Sequence, residues 1–181
     1  MSQPYAVIIA GGQGQRLGGV RKADLRIGGR RQLERMIAAL DGVTEPIRVA
    51  SGPAGERLAM PDACVAVPDL ESPVAGPLAG LAAAVAHLAD SGVTTGLLIS
   101  VAVDTFFLPP DFVSRMIESL GDAGAAYAAW GEDFYPPNAV WQLAALQGLP
   151  SALIAPQPPG SLKSLQQALG ARIVDEPGQL L

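Results

Sequence analysis

The thirteen residues Ala10-Gly-Gly-Gln-Gly-Gln-Arg16-Leu-Gly-Gly-Val-Arg-Lys22 gather five glycines and three cations into one stretch. Glycine lets the backbone take positive φ and approach a ligand closely, so successive N–H groups can face phosphate oxygens. Arg16 carries a planar fork that can pair with two phosphate oxygens at once, and Lys22 is a compact point charge. The chemistry such a loop suits is polyphosphate binding. Two common glycine loops do not fit. A dinucleotide fingerprint starting at Gly12-x-Gly14 needs Gly or Ala where the chain has Leu17, and a P-loop needs Gly-Lys-Ser/Thr, whereas Lys22 follows Arg21.

Two carboxylates join the loop as candidates. Asp104 ends the apolar run Leu97–Val103. A carboxylate there suits Mg2+, which takes one or two carboxylates and completes its shell with water and substrate phosphates. The competing reading is a cap or turn residue for the helix after Pro109. Asp69 follows Val65–Val67 in a proline-rich loop, where a solvated turn aspartate competes with a ligand contact. A single histidine, His87, leaves no material for a histidine metal centre or a Ser-His-Asp triad. A single cysteine, Cys64, excludes an intramolecular disulfide and a multi-cysteine zinc site, and with no basic neighbour in sequence it reads as an inert thiol. Trp130, Trp141, Phe106 and Phe107 read as core aromatics, and His87 as a packed or half-exposed residue of an alanine-rich helix.

The elements that must position these groups follow from apolar patterning. Tyr5–Ala10 is a short apolar run of the kind that forms a strand buried on both faces, Leu97–Val103 reads as another buried strand, and Ile47–Ala50 and Cys64–Val67 are the second and third strand candidates. Ala125–Trp130, Ala139–Ala145 and Arg172–Val174 are weaker strand candidates. Helical spacing marks Gln32–Leu40, Leu78–Ala89, a segment after Pro109-Pro110 through Leu120, and Ser161–Leu169. This alternation predicts an α/β fold: one Rossmann-like domain over residues 1–181, with a mostly parallel sheet and helices on both faces. In such sheets ligands bind beyond the carboxyl ends of strands, where Gly11–Lys22, Asp69 and Asp104 all fall.

Charge agrees with a small anionic ligand. The chain is −5 in sum, but residues 1–35 hold seven basic against two acidic residues, +5, which leaves −10 for the remainder. A basic patch on an acidic chain suits a nucleoside triphosphate, not nucleic acid, which asks for a basic face. Arg30, Arg31 and Arg35 fit one solvated helix face. The start Met1-Ser2-Gln3-Pro4 has no basic n-region, and the longest apolar stretch, around Leu97–Val103, is far short of the roughly 20 residues of a membrane span. The expectation is a soluble, cytoplasmic protein with neither nucleic-acid nor membrane partners.

Three motifs carry a family resemblance: Ile9-Ala-Gly-Gly-x-x-x-Arg16-Leu-Gly-Gly-x-x-Lys22, then Asp69 seven residues before Gly76-Pro-Leu-Ala-Gly80, then Asp104-Thr-x-x-Leu-Pro-Pro110. In order and spacing they resemble the molybdenum cofactor guanylyltransferases (MobA type), within the wider MobA-like nucleotidyltransferases. The resemblance implies a nucleotide-diphospho-sugar transferase-like fold and Mg2+-dependent transfer of GMP from GTP to molybdopterin cofactor, with release of pyrophosphate. It implies catalytic roles for Arg16, Lys22 and Asp104, with Asp104 as the Mg2+ ligand. By the same inference Ile9, Ala10, Gly11, Gly12, Lys22, Ser51, Asp69 and Asp104 bind the nucleotide, and molybdoenzymes or cofactor-insertion proteins are onward partners. The chain departs from the family at Arg21, where Asp is common, and at Val103-Asp-Thr-Phe106, where Cys-Asp-Thr-Pro is common. Ser51 stands roughly where an Asn is expected, and Asp175-Glu-Pro177 is either a degenerate form of the family's Asn-x-Asn-Thr-Pro-Glu strand or no counterpart of it. The alternatives are a related transferase using CTP or another phosphorylated acceptor, and a weakened accessory protein that binds nucleotide or molybdopterin.

Overall fold

The computed structural model describes residues 2–11, 16–17, 20–53 and 58–175, with the backbone alone at residues 16, 17 and 20. The chain opens with β1 (Tyr5–Ile9), followed by two small ribbons, β2 (Arg16–Leu17) with β3 (Val20–Arg21) and β4 (Arg26–Ile27) with β5 (Arg30–Arg31). Then come α1 (Gln32–Ala39), β6 (Ile47–Gly52), β7 (Cys64–Pro68), α2 (Pro77–Asp90), β8 (Leu97–Ala102) and α3 (Phe112–Leu120). The remainder is β9 (Ala125–Trp130), β10 (Asp133–Gln142), the short helices α4 (Leu143–Leu146) and α5 (Leu149–Leu153), α6 (Leu162–Ala168) and β11 (Arg172–Asp175). Ser161 caps α6, its hydroxyl accepting from Ser164 N at 3.1 Å.

The main sheet runs β11-β9-β10-β8-β1-β6-β7. β1 lies between β6 and β8 and pairs in parallel with both; β6–β7 and β9–β11 are also parallel. Ala6, Ile8 and Ala10 face one apolar layer, packed with Leu33 and Met36 of α1 and Phe112 and Met116 of α3. Val7 faces the other, with Leu78, Leu81 and Val85 of α2, Leu143 and Leu146 of α4, Leu149 and Leu153 of α5 and Leu162 of α6. The expected mostly parallel sheet with helices on both faces is the architecture observed.

Two departures have local causes. β10 runs antiparallel to both β8 and β9. It follows β9 after only Gly131-Glu132, and two residues can join antiparallel strands but never parallel ones. The strand expected at Ala139–Ala145 instead spans Asp133–Gln142, and its apolar tail is the helix Leu143–Leu146. Periodicity alone cannot separate a short buried helix from a strand. No helix among the described residues is long and apolar enough to cross a membrane.

The ends of β1 and β6 meet very closely. A Cβ on Gly11 would lie 2.0 Å from Gly52 N and 2.2 Å from its Cα. Glycine is therefore required at position 11 by the protein's own backbone. Gly11→Ala is expected to lower unfolding free energy by at least about 1–3 kcal/mol, the usual cost of overpacking. Urea denaturation checks it; a variant as stable as the parent would mean that the two strand ends separate freely.

Candidate functional site

Parallel pairing brings the carboxyl ends of β1, β6, β7 and β8 to one edge, and the predicted residues collect there in two groups. The first surrounds β1 and β6. Ile9 and Ala10 are buried, and both are used by the sheet: Val103 N donates to Ile9 O at 3.0 Å, and Ala10 N donates to Ala50 O at 2.9 Å. A ligand cradle of free N–H groups therefore starts no earlier than Gly11. Ser51 is buried at the end of β6, and Asp69 N donates to Gly52 O at 2.8 Å, which holds Asp69 beside it. Gly12 and the side chain of Arg16 lie outside the described residues.

The second group joins β1 to β8. Lys22 Nζ and Asp104 Oδ2 form an ion pair at 3.1 Å across 82 residues of sequence. The side chains are 23% and 44% exposed, so the pair is open to solvent and to ligand. Asp104 is not a helix cap; α3 begins eight residues later with Asp111 at its N-cap position.

Arg21, next to Lys22, ties the two groups together. It is 5% exposed, and its Nη2 donates to Ser51 O at 2.7 Å. A hydrogen bond from a charged donor contributes about 1.5–3 kcal/mol. The residue that departs from the family pattern thus anchors the loop bearing Lys22 to the end of β6.

Asp104 and Phe106 lie between two clefts. One, of about 440 Å³, is lined by Lys22, Leu25, Arg26, Ile27 and Gln32 as well. The other, of about 410 Å³, includes Thr105, Phe107, Phe134, Tyr135 and Asn138. Phe106 is 76% exposed and Phe107 41%, which corrects their expected place in the core. Trp141 is fully buried as expected, its Nε1 donating to Ser100 Oγ at 2.8 Å. Phe106 sits in a chain segment that turns away from the sheet after Asp104, so no helix or strand covers it.

The basic segment is also organised differently from expectation. Arg30 and Arg31 form β5, and only Arg35 is on α1. Arg31 donates from Nε and Nη2 to Asp24 Oδ1 at 3.1 and 2.6 Å, and from Nη2 to Ala59 O at 3.0 Å. It is a tie within the fold, not part of a solvated face. His87 accepts at Nδ1 from Arg48 Nε at 3.4 Å, on the α2 side of the sheet and away from both clefts. Sequence reasoning passed over Gln32 and Asn138, both buried, which hydrogen-bond the turn that carries Asp104. Their signal is faint: a polar residue at a helix start, and an Asn between two prolines and an apolar strand.

A family model described as MobA-like NTP transferase domain matches residues 6–174. A molybdenum cofactor guanylyltransferase of Acidiphilium cryptum is 38% identical over 156 residues, covering 84% of this chain and 74% of that protein. The crystal structure of molybdopterin-guanine dinucleotide biosynthesis protein A from Archaeoglobus fulgidus superposes with a TM-score of 0.65 at 17% identity, over 96% of this chain and 83% of that one. A Mycobacterium tuberculosis protein solved as a complex with manganese gives 0.63 at 17% identity, over 98% and 89%. At such identities the two structures speak for the fold alone.

Cys64 takes no part in either cleft. Burial, helped by the negative charge of Glu45, pushes its thiol up to about 11. The neutral thiol therefore prevails below that pH, and thiolate grows about tenfold per pH unit toward it. Iodoacetamide alkylation of the native protein should rise without a plateau through about pH 10. A plateau near the ordinary thiol range would show a solvated, reactive cysteine.

Proposed function

We infer this protein's reaction from one premise: the chain belongs to the MobA-like NTP transferase family. It is a nucleotidyltransferase that moves GMP from GTP to the phosphate of molybdopterin cofactor and releases pyrophosphate. Supporting the guanylyl assignment is the name carried by its curated relatives, molybdenum cofactor guanylyltransferase, at 31–38% identity over most of the chain. The single observation that carries the site is the Lys22–Asp104 pair, standing where the two clefts meet.

In the reaction an acceptor phosphate oxygen attacks the α-phosphorus of GTP. A new P–O bond forms, the bond from that phosphorus to the bridging oxygen breaks, and pyrophosphate leaves with the electron pair. Little covalent work falls to the protein; alignment and charge neutralisation do most of it. Lys22 supplies a cation to the phosphates. An exposed ion pair contributes only about 0.2–1 kcal/mol, so little opposes the exchange of Asp104 for phosphate as the partner of Lys22. Arg16 is assigned the same work, and Ile9, Ala10, Gly11, Gly12, Ser51 and Asp69 the nucleotide side of the site.

Asp104 is the assigned holder of Mg2+. Among the described residues no three His, Cys, Asp or Glu side chains gather into a metal cage. One hard carboxylate oxygen fits Mg2+, which fills its octahedron with water and substrate phosphates. The ion would supply neutralisation of the charge on departing pyrophosphate. The molybdopterin acceptor is assigned to the cleft of Phe106, Phe107, Phe134 and Tyr135, whose rings suit a flat heterocycle. Lys163 Nζ, 5.8 Å from the Phe134 ring centroid, adds positive charge toward an anionic acceptor.

Asp104→Asn keeps the shape and removes the anionic ligand. Its kcat should fall about 10²–10³-fold, with the melting temperature of the ligand-free protein unchanged. A large loss of ligand-free stability with kcat retained would make Asp104 a structural residue. Calorimetry should find GTP with Mg2+ bound more tightly than CTP or ATP, and Lys22→Ala should weaken GTP binding by about 1.5–3 kcal/mol. Equal affinity for the three nucleotides would remove the guanylyl assignment, and an unchanged Lys22→Ala would remove the lysine from the site.

A further inference from the structure

Asp104 hangs on a backbone turn, and that turn sets where its carboxylate points. Thr105 N donates to Ala102 O at 3.1 Å, closing the turn, and two buried amides grip it from opposite sides. From α1, Gln32 Nε2 donates to Thr105 O at 2.8 Å. From β10, Asn138 Oδ1 accepts from Ala102 N at 2.9 Å. Thr105 Oγ1 lies 3.2 Å from Asn138 Oδ1 and 3.1 Å from its Nδ2, so its hydroxyl bonds the same amide. Gln32 and Asn138 are 4% and 5% exposed.

Asn138 reaches the turn because β10 is irregular there. The register shifts between Tyr135 and Ala139, so Pro136, Pro137 and Asn138 form a bulge opposite β9. Bulges re-aim side chains and collect beside active sites. This one is held on both flanks: Gln166 Nε2 donates to Pro136 O at 2.8 Å and Ser100 Oγ to Pro137 O at 2.6 Å. Ser100 in turn accepts from Trp141 Nε1. Three buried side chains, Gln166, Ser100 and Trp141, thus converge to set one asparagine.

We propose that Asn138 is a positioning residue that aims Asp104 at its divalent metal, acting through Ala102 N and the Thr105 hydroxyl. The inference rests on the assignment of the metal to Asp104. Residues behind a metal ligand typically change metal affinity or activity about 10–100-fold when lost.

The test is a Mn2+ or Mg2+ titration of the GTP-dependent rise in melting temperature, run beside activity on the full chain. Asn138→Ala should need about 10–100-fold more metal to reach half of that rise, and excess metal should recover much of the lost kcat. A residue that serves stability alone would lower the ligand-free melting temperature and leave the metal midpoint in place; that result overturns the proposal. Thr105→Val removes the same contact from the other end while keeping the carbonyl that Gln32 binds. It should move the midpoint in the same direction, and it decides the matter alone if Asn138→Ala does not fold; an unmoved midpoint overturns the proposal. Asp104→Asn in the same titration separates the two assignments. If it responds to metal like the parent, the metal does not belong to Asp104 and the role of Asn138 falls with it. If it loses the response while Asn138→Ala keeps the parent midpoint, only the role of Asn138 is wrong.

Discussion

The parallel pairing of β1 with β6 on one side and β8 on the other is the constraint on which the rest depends. It sends three strand ends to the same edge and leaves no choice about where the following loops begin. Val103 N on Ile9 O and Ala10 N on Ala50 O extend the pairing one step past the strands, so the sheet stays stiff up to the site. Gly11 against Gly52 is the tightest consequence: two backbones touch where any side chain would part them. A loop that sequence alone assigns to ligand approach thus first serves the approach of the protein to itself.

Polar groups are distributed to the same end. Among the described residues the buried polar or charged side chains are Arg21, Gln32, Arg48, Ser51, Ser100, Asn138 and Gln166. Apart from Arg48, which reaches Pro46 and His87 on the α2 side, they lie in the segments around the carboxyl edge. An unpaired buried polar group costs about 1–3 kcal/mol, so a core gathers them only where irregular backbone must be satisfied. The irregular backbone here is the Asp104 turn, the β10 bulge and the junction of Lys22's loop with β6. Each is met by a side chain from another element: Gln32, Ser100, Gln166 and Arg21 donate to backbone carbonyls, and Asn138 accepts from Ala102 N.

What was legible in the sequence follows the same division. β1, β6, β7 and β8 are continuous apolar runs, and their bounds lie within two residues of expectation, although β7 is an edge strand that the sheet leaves half-exposed. Gly11, Lys22 and Asp104 were legible as types that chemistry needs at strand ends. Their partners were not. The Lys22–Asp104 contact spans 82 residues, and no local pattern encodes it. β10 hid behind Pro136-Pro137, which count against a regular strand and here belong to a bulge. Arg21 reads as one more cation for phosphate, while tertiary structure turns it inward to Ser51. Phe106 and Phe107 read as core because aromatic residues usually are, and they stand at the clefts because the chain leaves the sheet at Asp104. The misses gather at the site, where local preference and tertiary demand part company.

That division also fits the chemistry. Phosphoryl transfer asks for reacting atoms held in line and for charges that can change partners as the triphosphate enters and pyrophosphate leaves. The two demands pull against each other in a single rigid site. Here they fall on different bonds. The backbone turn under Asp104 is held by buried hydrogen bonds from α1 and β10, each difficult to break without exposing an unpaired amide. The Lys22–Asp104 pair above it is half-exposed and weak, so it yields to a better anion or cation at a cost below about 1 kcal/mol. On the proposed assignment of Lys22 and Asp104, strength below and exchangeability above would let the edge of one sheet fix direction while leaving its charges free to follow the substrate.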